Sequence, residues 1–274
     1  MDGRPVTKVR RGLPLLLLSL TLSACGLPGT RSDSRSLPPA VPALSSGFLA
    51  PDQVEGIAGA HRPSAGPTSA DLTADRRRWA REGRTPGTDR WYLAIRHVEL
   101  RPALAPQHFD CPLGARLGAA ETPAVVDLFT RLGRDVEAVW LKLRTARPRP
   151  IDIGTDRAAC IRLPGSDSGH GWSPLGGAAL AAVWAEAMAD LAPDRAGPVR
   201  RIGREIGLSL SICGLTWPQD VAAGQRLGQA VWQAARTDPA YRALADAARA
   251  ELATARADPL ESPACAAERL ALAS

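Results

Sequence analysis

"ETPAVVDLFTRLGRDVEAVWLKLRTA", residues 121–146, is the stretch whose reading decides the fold class. Its apolar residues fall at Val125, Val126, Leu128, Phe129, Leu132, Val136, Val139, Trp140 and Leu143. That is the three-and-four spacing with which a helix buries one face. Thr122 stands where a capping residue would, and Pro123 fits the first helical position. Toward the C-terminus the pattern repeats in "SPLGGAALAAVWAEAMADLAPD" (173–194), with Ser173 before Pro174 and a face of small residues suited to close packing. "PVRRIGREIGLSLSI" (198–212), "DVAAGQRLGQAVWQAA" (220–235) and "DPAYRALADAARAELATARA" (238–257) predict three further helices. Strand-like alternation is scarce, so the chain reads as an all-α bundle over residues 71–274.

Toward the N-terminus the composition changes. Residues 25–70 are rich in Pro, Gly, Ser and Ala ("SLPPAVPALSSG", "HRPSAGPTSAD") and are expected to form a tether or a surface-hugging arm. Residues 1–24 combine a cationic start, "MDGRPVTKVRRG", with an apolar run too short to span a bilayer as a mature helix. The run ends in "LSAC", Leu22 to Cys25, which resembles a bacterial lipobox. That resemblance implies lipidation at Cys25, anchorage to a membrane through the lipid, and a place on the periplasmic side of the bacterial cell envelope.

Lys and Arg total 34 against 28 Asp and Glu, but four of the cations and one of the acids precede Cys25. The remaining 30 against 27 is nearly balanced, and "RRR" at 76–78 reads as a solvated helix face. Nucleic acid is therefore not an expected partner. Beyond Cys25, the cysteines 111, 160, 213 and 265 allow two disulfides in any of three pairings. None has C-x-x-C spacing, so no metal site is expected.

Three short stretches carry the chemistry. The first is Lys142, six residues, then Arg149-Pro150; the second is Ser168-Gly169-His170; the third is "GLSLSICGLTWPQDVAAGQRLG", 207–228. A phosphate dianion needs cations and backbone N–H groups to clamp it and a nucleophile in line with its leaving oxygen. Lys142 is the only lysine after Lys8 in a chain that otherwise uses arginine.

Together these stretches resemble the signature of the class A bacterial nonspecific acid phosphatases, of the type 2 phosphatidic acid phosphatase and vanadium haloperoxidase superfamily. The likeness runs over roughly residues 80–274 and implies a helical bundle and metal-independent phosphomonoester hydrolysis, with no cofactor. In that mechanism an imidazole attacks phosphorus, a carboxylate orients it, and a second histidine protonates the leaving group. Carried over, Lys142, Arg149, Ser168 and Gly169 hold phosphate, His170 is the leaving-group acid, and Asp220 is the orienting carboxylate. Asp220 also has a plainer reading as a helix cap.

The third stretch departs from the family. Counting back from Asp220, Thr216 occupies the position of the nucleophilic histidine and Leu210 that of a phosphate-binding arginine, leaving Ser209 as the retained member of its pair. No histidine follows His170, and Asp167 stands where the family has proline. Pro174 further suggests a helix that starts too late to offer N–H groups to phosphate. The expectation is a degenerate phosphatase: a lipid-anchored protein that binds an anion such as phosphate, a phosphomonoester, or a protein partner. The alternative is an active phosphatase with a replacement nucleophile, for which His97 or His108 would have to approach Asp220. A vanadate peroxidase would need histidine at 216. Oligomeric state is left open, a homo-oligomer included.

Overall fold

Residues 176–191 carry only two charged side chains, Glu186 and Asp190, among seven alanines, two glycines and five larger apolar residues, so little on their surface resists burial. In the computed structural model they form a helix in which thirteen of sixteen residues are buried, which makes it the centre of the bundle rather than a surface element. The structure describes residues 46–62, 68–82, 86–143, 149–153, 160 and 176–273. Within them the helices are α1 (Pro51–His61), α2 (Ser69–Glu82), α3 (Asp89–His97), α4 (Asp110–Leu113), α5 (Pro123–Leu143), α6 (Gly176–Leu191), α7 (Ala196–Ile212), α8 (Pro218–Ala235), α9 (Pro239–Ala257) and α10 (Pro263–Ala273). No strand occurs among the described residues, and the fold is all-α, consistent with the acid-phosphatase type. No described helix is long and apolar enough to cross a membrane.

Close packing onto α6 explains its small residues. A Cβ on Gly203 of α7 would collide with Ala185, and one on Gly228 of α8 would run into the Ala179 carbonyl, 2.8 Å from the Ala182 Cβ and 2.9 Å from the Val183 nitrogen. At Gly228 two of those neighbours are backbone, which cannot rotate away. Gly228→Ala is therefore expected to lose about 3 kcal/mol to overpacking and regain about 1 kcal/mol of helix propensity. The net loss, about 2 kcal/mol, is read from urea unfolding; an unchanged midpoint would show that α8 can shift.

From α5, Phe129 stacks on Trp184 at 4.9 Å between centroids, and its carbonyl accepts the Trp184 indole N–H at 3.0 Å. The predicted apolar stripe is the buried face of α5, with Val125, Leu128, Phe129, Leu132, Val136, Val139 and Leu143 all buried. Its start is held differently from the sequence expectation. Thr122 turns its hydroxyl back to Gly118, and Glu251 of α9 accepts the orphan Ala124 N–H at 2.8 Å.

The stretch 25–70 contains α1, with Val54 and Ala58 buried. Ahead of it the backbone N–H groups of Phe48 and Leu49 donate to the Asp135 carboxylate of α5 at 2.9 and 3.0 Å. Gly47 lies so close that a Cβ there would collide with that carboxylate. Phe48 itself is buried, edge-on to Tyr241, with Arg131 over its other face. Only Val54 and Ile57 are larger apolar residues among the eleven of α1, so its buried face is too weak a periodic signal to stand out from a linker composition.

Both disulfides form: Cys111 with Cys265, tying α4 to α10, and Cys160 with Cys213. The exposed positions of Arg76, Arg77 and Arg78 on α2 agree with a solvated face.

Candidate functional site

The third stretch is a helix end, a tight turn and a helix start. At the end of α7 the N–H of Leu215 donates to the Leu210 carbonyl (2.9 Å) and that of Gly214 to Ser211 (3.0 Å). With Gly214 at φ +73°, this is a Schellman closure. Glycine is needed at 214 twice over, because a Cβ would also strike the Ile151 side chain.

That contact brings the first stretch to the third. The Ile151 N–H donates to the Gly214 carbonyl at 3.2 Å, and the Cys160–Cys213 bridge anchors the chain beyond it. Arg149, buried, therefore lies two residues from a backbone bond to the turn that leads into Thr216. From α2, the Trp79 indole donates to the Ser211 carbonyl at 2.6 Å and packs edge-on to Trp217. The Asp75 carboxylate accepts the Gln219 N–H at 3.3 Å in the first turn of α8. Asp220 is the third residue of α8, whose N-cap is Trp217. The N-cap position that the plainer reading gave Asp220 is thus filled by Trp217, and Asp75 serves one of the first-turn N–H groups.

Thr216 and Leu210 are both interior, 1% and 2% exposed. Lys142 lies at the surface, half exposed, with its amine 2.6 Å from Glu55 of α1; that ammonium holds the Glu55 carboxyl below the usual carboxylate range. Ser168, Gly169, His170, Asp167 and Pro174 fall outside the described residues, as does Cys25. Among the sequence-predicted residues, the described structure brings Arg149 to the turn before Thr216 and Asp220, and directs Lys142 to Glu55.

Ser209 is committed elsewhere. Its hydroxyl donates to the Glu205 carbonyl at 2.8 Å and accepts from Arg90 Nη1 at 2.9 Å. With that single proton spent, the His97 Nδ1–H is the donor in the third contact, also 2.9 Å. His97 therefore meets the third stretch at Ser209. Its Nε2 is buried with no hydrogen-bond partner among the described residues. His108 stands edge-on to it at 5.5 Å and bonds the Glu99 carbonyl. Nothing in the sequence marked Arg90 or His97 as members of one cluster, because α3 and α7 are more than a hundred residues apart.

Burial drives the His97 pKa well below its ordinary value, helped by the nearby His108, Arg90 and Arg96; burial also lowers His108. A histidine lowered in the folded state stabilises fully above its unfolded pKa of 6.5 and loses that contribution as pH falls below it. Asp110, pushed up to about 7 by burial, acts in the opposite sense, so the wild-type profile mixes the two. The clean readout is a difference. The stability gap between wild type and His97→Gln is expected to narrow from pH 7.5 to pH 5 in urea titrations; a constant gap would mean His97 does not titrate on unfolding.

No family model matches the chain. It is 30% identical over 173 residues to an acid phosphatase of Zymomonas mobilis, covering 62% of this chain and 65% of that protein. It is 25% identical over 169 residues to the non-specific acid phosphatases of Salmonella typhimurium and Salmonella typhi, covering 61% of this chain and 68% of each. The matched stretch thus spans just under two thirds of the length of the Zymomonas relative. These similarities support an acid phosphatase family.

Proposed function

We propose that this chain is an exported, lipid-anchored protein whose acid-phosphatase-like domain binds a phosphate-type anion or a protein partner and has lost efficient turnover. The observation that carries the reading is the burial of Thr216 and Leu210, a hydroxyl and a hydrocarbon side chain at the positions of a nucleophile and a phosphate-binding cation. A threonine hydroxyl needs a base to attack phosphorus, and leucine offers no charge to the transition state. Lys142, Arg149, Ser168 and Gly169 are the residues assigned to the anion, with His170 as the inherited leaving-group acid and Asp220 as the inherited orienting carboxylate. The relatives' names point to a phosphomonoester as the ligand class. Lipidation at Cys25 rests on "LSAC", and two disulfides suit an oxidising compartment such as the periplasm.

The retention of Lys142, Arg149, Ser168, His170 and Asp220 together favours a second reading, an active phosphoric monoester hydrolase with water or Thr216 as the attacking group. Hydrolysis of p-nitrophenyl phosphate by the full chain, from acidic to neutral pH and beside His170→Ala, separates the two. Background rates in both proteins are expected. Turnover like that of the relatives, abolished by His170→Ala, would overturn the first reading.

A further inference from the structure

A cavity of about 180 Å³ lies between the end of α1, the end of α5 and the middle of α8. That is roughly the space of six waters at about 30 Å³ each. Its walls are Ala60, Leu143, Ala223 and Leu227, and its polar groups are His61, Arg62 and Arg226. No acid lines it. Arg62 and Arg226 form no salt bridge with any described residue, whereas Arg90, Arg200, Arg249 and Arg256 all pair with carboxylates. Glu55 is close enough to feel Arg62, but its carboxylate is engaged by Lys142. The His61 Nδ1–H donates to the Ile57 carbonyl at 3.0 Å, which fixes the ring in the cavity wall.

Two guanidinium groups around a small cavity, without a counter-acid, repel one another until an anion enters. The fork of a guanidinium matches two oxygens of a phosphoryl group, and two such forks match the charge of a dianion. We propose that Arg62 and Arg226, with His61 in the wall beside them, form a binding site for a phosphoryl dianion, either free phosphate or the phosphoryl group of an organic monoester. The site uses none of Lys142, Arg149, Ser168, Gly169, His170 or Asp220, and stands whether or not those residues bind anything.

The test is calorimetric titration of the full chain with inorganic phosphate and, separately, with phenyl phosphate, at constant ionic strength set with chloride. Arg62→Gln/Arg226→Gln is expected to weaken binding by about tenfold or more. Arg76→Gln/Arg77→Gln, which removes the same net charge from the exposed face of α2, is expected to stay within about twofold. Preference for inorganic phosphate identifies the free ion as the ligand, and preference for phenyl phosphate identifies the ester. Equal weakening by the two double variants, or unchanged affinity in Arg62→Gln/Arg226→Gln, would overturn the site. Circular dichroism confirms folding, since Arg62 and Arg226 are both exposed.

Discussion

The wild-type chain is expected to hydrolyse p-nitrophenyl phosphate about 10⁶-fold or more below the Zymomonas relative assayed beside it. Losing the nucleophile of a covalent mechanism accounts for a deficit of that order, and losing a charge-stabilising donor adds about 10² to 10³. Thr216→His is expected to recover part of the first deficit and to remain at least about 10² to 10³ below the relative, because the second is untouched. Supplying the arginine directly carries its own cost. Leu210 is 2% exposed and belongs to the apolar core, so Leu210→Arg buries an unpaired charge and is expected to lose about 3–5 kcal/mol of stability. Urea unfolding checks the stability and the parallel assay checks the rate. A wild-type rate within about 10² of the relative would refute the expectation outright.

The other large effect is expected from the Cys111–Cys265 bridge. It closes a loop of 154 residues, for which the chain-entropy relation gives about 5 kcal/mol, against about 4 kcal/mol for the 53-residue loop closed by Cys160–Cys213. Apart from that bridge, α10 is held by Leu272, half-buried against the core, and by Arg201, which donates to the Leu272 carbonyl at 3.3 Å. It buries Cys265, Glu268 and Ala271, and presents Leu270 to solvent at 67% exposure. Burial raises the Glu268 pKa, so that contact is itself costly near neutral pH. Cys111→Ser/Cys265→Ser is therefore expected to lower the unfolding free energy by about 5 kcal/mol and to release α10 first. Hydrogen exchange would show residues 263–273 losing protection before α6 does. Equal stability with and without the bridge would mean that packing alone positions α10.

Helices α5 to α9 were legible because each repeats an apolar residue at three-and-four spacing over four or more turns. For α6 the clue lay in its small residues, whose reason is the contact of Gly203 and Gly228 with its backbone and alanines. Helix α1 was not legible, since Val54 and Ile57 with two alanines carry too little apolar contrast to register against a proline-rich background. Periodicity is equally silent on pairings between distant segments, so neither disulfide partner nor the union of Arg90, His97 and Ser209 could be read from it. Within the candidate site, motif spacing singled out Arg149, Thr216 and Asp220. That Ile151 binds the Gly214 carbonyl depends on a turn and a bridge that the spacing does not encode.

The clamp on Phe48 and Leu49 decides where a pull on the chain would be felt. Tension arriving from before Ser46 meets the Asp135 carboxylate before it reaches α1, and it is shared by two backbone N–H groups and the wedged Phe48 ring. Asp135 lies past the midpoint of the 21-residue α5, so the load enters the longest helix along its shaft rather than at its tip. A protein suspended by its N-terminal end would hang from that point, with unravelling of α1 shielded until the clamp gives way.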